Sequence, residues 1–465
     1  MKTPLDPPAP RPEQPSLFET SADDDRPPRA TEPPTPSGRP RLRTANRDQI
    51  VFRTVALDEL IPDDHPARVV WDYVVGLDLS PLSSAIKAVE GHPGHPPIDP
   101  KILMALWLYA TIDGVGSARQ LDKLCHKHDD YRWILGDVRI NYHTLADFRT
   151  AHGELLDRWL SQSVAVLMAE GLVDLDRVAQ DGMGVRASAG AASFRRRPTL
   201  EAALAVAEAH VQALRAELEA DPAADDRRQR KARERAARER AERIKGALDR
   251  LPELEAKKKP EDREKARCST TDPDATAMKM ADGGFRPAYN VQFSTATDSQ
   301  IIVGVDVVTV GSDAGQMAPM VEQIGARYDQ KPKDVLVDGG FAQHDQIEAV
   351  SGEGMGCTVY APVPAPKDPK VDRYAAKPSD SPAVAAWRQR MAGAEAKAIS
   401  KERAATAECV NAQARNRGMI RLRVRGQLKA KAIALWHALA HNLMRAVGLR
   451  AATEAKVRAA AAAGV

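Results

Sequence analysis

Three acidic residues occupy positions from which their side chains can act together in chemistry. Asp181 and Asp338 each follow a short β-like run, and each precedes a glycine. Glu408 lies in a helical pattern in the last third of the chain. Because the carboxyl ends of neighbouring strands meet at one edge of a sheet, we expect the two aspartates to converge there. A helix packed against that edge would add the glutamate.

Converging carboxylates repel one another unless a cation neutralises them. Hard oxygen ligands with open coordination positions suit Mg²⁺ or Mn²⁺. Two such ions, about 4 Å apart, can activate a water or a 3′-hydroxyl and stabilise the leaving oxygen of a phosphodiester. The three acids together therefore predict a two-metal site for phosphodiester chemistry. Taken alone, each aspartate is more typical of a turn residue before glycine.

The residues that follow Glu408 favour a site beside DNA. Asn411 and Arg415 come three and seven positions later, on the same face of the predicted helix. No acidic residue occurs from Cys409 to Thr453. That stretch instead opens with a run of basic residues: Arg415, Arg417, Arg421, Arg423, Arg425, Lys429 and Lys431. One acid followed by such a run is expected where a metal site borders a phosphate backbone.

The net charge of the whole chain conceals this distribution. There are 67 Lys and Arg residues against 64 Asp and Glu residues, a total of only +3. Residues 401–465, however, hold 13 basic residues and 3 acidic ones. The near-neutral total therefore does not exclude a nucleic-acid partner.

The elements that must position these residues fall into two groups. Residues 47–171 show short helical patterns, which predict a compact all-α module that could carry a helix-turn-helix. Pro100 is expected to open one helix, and Ser117 to cap the next. A further helix is predicted from Thr144 to Trp159.

After Gly171 the pattern becomes mixed. Residues 172–187 read as a strand and a turn, with Gly182 and Gly184 in the turn. A hairpin is predicted over 289–308, and short strands are predicted before Asp338 and at 358–361. Strands interleaved with helices indicate an α/β core over residues 172–450.

Residues 199–266 interrupt this core with a long polar stretch that favours two helices. Between Arg227 and Lys245 there are ten basic residues against three glutamates. A solvated helical hairpin explains this pattern, and so does a helix that lies along DNA phosphates. Both interpretations stay open.

Two terminal segments differ in composition from the rest. Residues 1–46 hold 12 of the 33 prolines and one aromatic residue, which predicts a disordered Pro-rich tail. Residues 451–465 are an Ala-rich C-terminal tail. The longest apolar run, residues 102–112, is too short to cross a membrane, and no signal peptide is visible.

The cysteines and histidines predict structural roles. The four cysteines are widely separated, which is typical of a reduced, cytosolic protein. Cys125 and His128 have no second cluster of ligands nearby, and a structural zinc site needs about four. His437 and His441 lie one helical turn apart among apolar residues and are expected in the core or an interface.

Several ordered motifs resemble the DDE transposases of bacterial insertion sequences, in the IS4- and IS5-like group. Asn141-Tyr-His-Thr-Leu-Ala-Asp-Phe-Arg resembles an N-terminal block of that family. Gln180-Asp-Gly-Met-Gly and Val335-Leu-Val-Asp-Gly-Gly-Phe resemble the blocks of its first and second aspartates. The stretch from Lys401 through Glu408 to Arg415 resembles its acidic helix. The likeness extends over roughly residues 47–450.

This resemblance implies an RNase H-like catalytic core behind an all-α DNA-binding domain. It implies that Asp181, Asp338 and Glu408 form the catalytic triad and hold two Mg²⁺ or Mn²⁺ ions. It also implies partners, namely terminal inverted repeats, target DNA and a second copy of the chain in a synaptic homodimer. The DNA-binding residues would be Arg403, Asn411, Arg415, Arg417, Arg421, Arg423 and Arg425.

Two positions depart from the family pattern, Ser400 and Gly184, where a tyrosine and a longer residue are usual. They leave open an inactive or domesticated DNA-binding protein. A metal-dependent nuclease without strand transfer is a further alternative. Glu402 is a rival for the third acid, and the spacing of Asn411 and Arg415 favours Glu408.

Overall fold

Residues 54–89, 96–220 and 226–462 are described by the structure, a computed structural model of the chain. The Pro-rich tail predicted for residues 1–46 lies outside these described residues. So does the proline at position 222, where the sequence predicts a break between two helices.

Seven α-helices occupy the described chain before residue 170. They are α1 (Pro66–Val75), α2 (Ser80–Ser83), α3 (Pro100–Ile112), α4 (Ala118–Lys127), α5 (Asp129–Leu135), α6 (Tyr142–Ala151) and α7 (Gly153–Ala169), preceded by a 3-10 turn at Leu57–Leu60. Local sequence determines where they begin. The side chain of Asp99 accepts from the backbone of Lys101 in α3, and Ser117 accepts from Gln120 in α4. The predicted starts at Pro100 and Ser117 are confirmed.

The single helix expected from Thr144 to Trp159 is wrong, because two helices occupy this stretch. His152 leaves the helical region, with φ −120° and ψ 37°, and α7 begins afresh at Gly153. Glycine has a low helix propensity, and this favours a break at the junction.

A mixed sheet follows these helices. The strands are β1 (Arg177–Arg186), β2 (Phe194–Arg195), β3 (Cys268–Ser269), β4 (Thr276–Lys279), β5 (Phe285–Ala296), β6 (Ile302–Val308), β7 (Asp334–Leu336) and β8 (Thr358–Tyr360). The main sheet has the order β4-β5-β1-β7-β8, and β6 also pairs with β5. β1, β5 and β6 pair antiparallel, whereas β1, β7 and β8 pair parallel. Between the strands lie α10 (Met317–Tyr328) and α11 (His344–Ser351).

The turn expected at Gly182 and Gly184 is wrong. β1 is one strand from end to end, and it pairs with β5 from Val178 to Arg186. Gly182 is explained by packing, because a Cβ built on it would overlap the Oδ1 of Asp313 and the Nε2 of Gln292. The absence of a side chain at Gly182 therefore allows Asp313 and Gln292 to approach β1 closely, and no turn is formed there.

The insertion after β1 is a helical hairpin. Its arms are α8 (Arg197–Ala220) and α9 (Arg227–Ala256), followed by a 3-10 turn at Pro260–Lys265. Leu200, Ile244 and Leu251 form a small buried cluster with Cys268 of β3. The two helices of the hairpin therefore pack on an apolar interface of their own. Many of the basic residues of α9 lie on its other faces and are exposed.

The C-terminal third is helical. It contains α12 (Pro382–Ala392), α13 (Ala394–Arg403), a π-helical turn (Ala404–Glu408), α14 (Cys409–Asn416) and α15 (Gln427–Ala462). The last of these spans 36 residues. The Ala-rich segment predicted as a tail from residue 451 continues α15 as an exposed helix as far as Ala462.

Helix α15 joins the helical module to the sheet. It contacts α3 and α7, and it also contacts β6. Trp436 donates from Nε1 to the carbonyl of Arg149 at 2.9 Å. Asn442 exchanges two hydrogen bonds of 2.8 Å with the backbone of Ile302. One hydrophobic core therefore runs from the first helices to α15, across the predicted boundary at residue 171.

His437 and His441 are buried in this core, as the sequence predicts. All four cysteines are free, and three of them are buried. No helix within the described ranges combines the length and the apolar character that a membrane crossing requires.

Candidate active site

Asp181 lies within strand β1, and Asp338 lies two residues past the end of the neighbouring strand β7. The parallel strands β1 and β7 pair with Ala179 opposite Leu336. Asp181 lies two residues beyond Ala179, and Asp338 lies two residues beyond Leu336. Equal offsets on paired strands bring both carboxylates to one edge of the sheet, because side chains two residues apart point to the same face.

The environment of Asp181 disfavours its charged form. Burial of the carboxyl raises the pKa of Asp181 to about 6. The guanidinium of Arg403 opposes this rise, whereas the charges of Asp338 and Asp313 add to it. A cation that binds beside such a carboxyl stabilises its charged form and offsets the cost of burial.

Glu408 reaches this edge through an arginine. The Nη2 of Arg403 donates to Oε1 of Glu408 at 2.6 Å, and its Nη1 lies 3.7 Å from Oδ2 of Asp181. The Arg403 side chain is 18% exposed and that of Glu408 is 53% exposed. The guanidinium is thus the cation that links the two carboxylates in this structure.

Asn411 binds Asp181 directly. Its Nδ2 donates to Oδ2 of Asp181 at 3.0 Å, and the residue is buried. The Oδ1 of Asn411 is buried and has no hydrogen-bond partner. The π turn at Ala404–Glu408, which lies directly before α14, accommodates an extra residue between α13 and α14. Such turns occur often at functional sites.

Asp313 is a fourth acid at this edge, and the sequence patterns did not single it out. It lies on the loop after β6, and its Oδ1 accepts from Nδ2 of Asn290 at 2.8 Å and from Nε2 of Gln292 at 2.5 Å. Gln180 joins this network, since its Nε2 donates to Oε1 of Gln292 at 3.0 Å. The available signal was the same as for the other aspartates, an Asp in a glycine-containing turn just past a β-like run.

Glu402, the rival acid, is bound elsewhere. Both of its carboxylate oxygens accept from Nη1 of Arg177, at 3.1 and 3.0 Å. Arg177 also donates to Asp334 at 3.0 Å. Glu402 and Asp334 therefore share Arg177 as their ion-pair partner. Arg177 is the first residue of β1 and lies four residues before Asp181.

The residues predicted to bind DNA are not all in one place. Arg403 and Asn411 lie at the acidic edge, and Arg415 is exposed on α14. Arg417 is half-buried, and burial lowers its pKa. The remaining three, Arg421, Arg423 and Arg425, lie in the segment after α14. This segment pairs with the far end of β1 through a β-bridge between Arg421 and Arg186.

The donor atoms at this edge are of the chemical type that suits a divalent metal ion. Carboxylate and amide oxygens are the donors that Mg²⁺ takes, and the unpartnered Oδ1 of Asn411 lies beside Asp181. Arg403 already places a positive charge between Asp181 and Glu408. Among the described residues, no group of three acidic, His or Cys side chains is arranged to hold a metal.

Two family models match the chain. The family described as "Transposase domain (DUF772)" matches residues 55–151, and the family described as "Transposase DDE domain" matches residues 265–443. Together they cover more than half of the chain. No curated protein and no solved structure matches it.

The chain therefore belongs to the DDE transposases of insertion sequences. It is a DNA transposase, and DNA binding and strand transfer are general properties of that family. The DDE match contains Asp338 and Glu408, whereas Asp181 precedes it, on the other side of the hairpin insertion. Assignment to the IS4- and IS5-like group stays a prediction.

Proposed function

We propose that Asp181, Asp338 and Glu408 are the catalytic residues of this transposase and that they hold two divalent ions, Mg²⁺ or Mn²⁺. The equal offset of Asp181 and Asp338 beyond paired residues of β1 and β7 is the observation that carries this proposal. Two bound ions would generate a nucleophile from water and stabilise the leaving oxygen of the phosphodiester.

The protein groups have separate tasks in this proposal. Asn411 holds Oδ2 of Asp181 by its hydrogen bond and keeps that carboxylate oriented. Glu408 joins the two aspartates once its ion pair with Arg403 opens. The released guanidinium of Arg403 then faces the DNA backbone, where a planar fork suits a phosphate.

The reaction has two steps. First, the oxygen of a water forms a bond to phosphorus at the transposon end, and the bond from phosphorus to the 3′-oxygen breaks, which leaves a 3′-hydroxyl. Second, this hydroxyl loses its proton to solvent and attacks a target phosphodiester. The new bond between oxygen and phosphorus forms as the target strand's own 3′-oxygen leaves.

We also propose that residues 172–450 form an RNase H-like domain with the helical insertion at 199–266. The strand order β6-β5-β1-β7-β8 supports this proposal, with three antiparallel strands followed by two parallel ones. The all-α module of residues 47–171 is proposed to bind the terminal inverted repeats, and its helices up to Ala169 support it.

The remaining partners follow from the chemistry. The arginines of the C-terminal run are proposed to hold backbone phosphates, four of them exposed and Arg417 half-buried: Arg415, Arg417, Arg421, Arg423 and Arg425. A homodimer is proposed because two transposon ends must be joined in one synaptic complex. The four free cysteines support action in the cytoplasm, at the nucleoid.

A cleavage assay tests the proposal. Short inverted repeats that flank the reading frame supply the substrate, a labelled duplex incubated with Mg²⁺ and the full-length protein. Asp338→Asn is expected to abolish cleavage, whereas Glu348→Gln, an exposed acid on α11, cuts as wild type does. Equal cleavage by Asp338→Asn would refute the triad.

The same assay separates the alternatives. Cleavage without joined products would indicate a nuclease that lacks strand transfer. Binding to the ends without any nick, with Mg²⁺ or with Mn²⁺, would indicate an inactive DNA-binding protein.

A further inference from the structure

A second basic site lies away from the acids. A cleft of about 760 Å³ separates α4 and α6 of the helical module from the segment that follows α14. Four arginines line it, and we call it the four-arginine cleft: Arg119, Arg149, Arg421 and Arg423. No acidic side chain lines it among the residues that the structure describes.

The positive charges in this cleft are not neutralised. Within the described ranges, none of the four arginines has an ion-pair partner. A Cβ built on Gly116 would lie 3.8 Å from Nε of Arg423 and 3.9 Å from Nη2 of Arg149, so the two guanidinia are neighbours. Burial, and secondarily the charge of Arg423, lowers the pKa of Arg149 to about 10. Neighbouring like charges of this kind favour the binding of an anion.

Arg149 also has an unused donor. It is 7% exposed, its Nη1 donates to the carbonyl of Gly116 at 2.6 Å, and its guanidinium lies 4.5 Å from the ring centre of Trp107. Its Nε is buried and has no hydrogen-bond partner. A buried charged group that keeps an unpaired donor is uncommon in folded proteins, which makes Arg149 a candidate contact for an acceptor that enters the cleft.

Two helices begin at this cleft. Helix α4 starts at Ala118 behind its Ser117 cap, and α6 starts at Tyr142, and all three residues line the cleft. The dipole at a helix N-terminus favours negative charge. Arg119 lies 5.0 Å from the ring centre of Tyr142, which holds one guanidinium at the rim.

Strand β1 connects the four-arginine cleft to the acids. Arg186 donates to the carbonyl of Ile420 at 3.1 Å and accepts from Leu422 at 2.8 Å. These bonds fix the arginine-bearing segment to the end of β1, five residues beyond Asp181. At about 3.3 Å per residue, the backbone of Arg186 lies about 17 Å along β1 from that of Asp181, a length that roughly five base pairs of B-DNA span.

We propose that the four-arginine cleft binds backbone phosphates of the transposon-end duplex about five nucleotides from the scissile phosphate. This inference rests on the proposed function, because the distance is counted from the catalytic acids. Helices α4 and α6 and the segment after α14 then hold one stretch of DNA and fix which phosphate reaches Asp181.

A salt titration of binding tests the cleft. The probe is a duplex of about 30 base pairs with the terminal repeat that flanks the gene, and the protein is full length. Arg421→Ala/Arg423→Ala is expected to bind roughly tenfold to a hundredfold more weakly. The slope of log K against log salt should fall by about 2. Arg458→Ala, an exposed arginine near the end of α15, keeps the wild-type slope and affinity.

A phosphate map gives a second readout. Single methylphosphonate linkages are placed at each of the first ten positions from the cleavage site. Wild type should lose affinity at positions about four to six, and the double variant should be indifferent there. Wild-type affinity of the double variant, or sensitivity of wild type only beside the cut, would overturn the proposal.

Two controls make these outcomes decisive. Arg119→Ala lies on a different element and repeats the test if the double variant does not fold. Failure of wild type to cut its own transposon end would refute the proposed function itself. Normal cutting together with normal binding by the cleft variants would refute only the cleft.

Discussion

Asn411 donates from Nδ2 to Oδ2 of Asp181 at 3.0 Å, and this bond joins two residues 230 positions apart in the chain. It fixes helix α14 against strand β1 at the acidic edge. The carboxyl of Asp181 is thereby held in one orientation, while Oδ1 of Asn411 remains without a partner. Glu408 is the residue just before α14, so the hydrogen bond between Asn411 and Asp181 also positions this third acid.

Replacement of Glu402 and replacement of Glu408 are expected to have different effects on DNA cleavage. Glu402→Gln weakens an ion pair with Arg177 that is partly exposed, which costs at most about 1 kcal/mol, and cleavage should persist. Glu408→Gln removes the proposed third metal-binding carboxylate, and cleavage should be lost. The assay is Mg²⁺-dependent cutting of the transposon end. The opposite pattern would assign the third acid to Glu402.

Gly182 and Gly184 are predicted to respond differently to alanine. At Gly182 a Cβ would overlap the side chains of Asp313 and Gln292, so Gly182→Ala should lower the free energy of unfolding by about 1–3 kcal/mol. At Gly184 the nearest atoms belong to Met280, 3.7 Å away. Gly184→Ala should therefore be neutral or stabilise by up to about 1 kcal/mol.

Urea unfolding of the two glycine variants measures this difference. They share one strand and one chemical change, so each is the control of the other. Equal effects would mean that the contact of Asp313 with β1 does not constrain the strand.

We expect Asp313 to stabilise the fold because its Oδ1 accepts hydrogen bonds, and not because it carries a charge. Asp313→Ala leaves the buried amides of Asn290 and Gln292 without their acceptor, which costs about 1–3 kcal/mol. Asp313→Asn keeps an oxygen there and removes only the charge, so its loss of stability should be clearly smaller. Urea unfolding compares the two. An asparagine variant as unstable as the alanine variant would show that the charge itself is required.

The buried histidines predict a loss of stability in acid. Burial lowers the pKa of His437 to about 3 and that of His441 to about 4, against about 6.5 in the unfolded chain. Below pH 6.5 the unfolded chain therefore takes up protons that the folded chain does not. From pH 6.5 to pH 5 the free energy of unfolding should fall by up to about 2 kcal/mol for each histidine.

Replacement of these side chains should flatten this dependence. We expect His437→Gln and His441→Gln to reduce the slope of stability against pH below 6.5. His210→Gln, at an exposed position on α8, should leave the slope unchanged. Denaturant unfolding at pH 7, 6 and 5 measures it, and an unchanged slope in both core variants would contradict the burial argument.

Much of the fold follows from local sequence signals. The starts of α3 and α4 depend on Pro100 and Ser117, and both were predictable because caps and first-turn prolines act within a few residues. The helix break at His152 and the unbroken course of β1 were not predictable. Those outcomes depend on packing against elements that are remote in sequence, such as the loop of Asp313 against Gly182.

Composition and local pattern identify the acids that are available and the basic character of the C-terminal region, and they place Asp338 just past a short strand. How these residues meet is a property of the folded chain. The register of β1 on β7 aligns two aspartates 157 residues apart, the guanidinium of Arg403 lies between Asp181 and Glu408, and Arg149 lies beside Arg423. Pairing and close packing depend on distances in space, and residue order along one chain does not contain them.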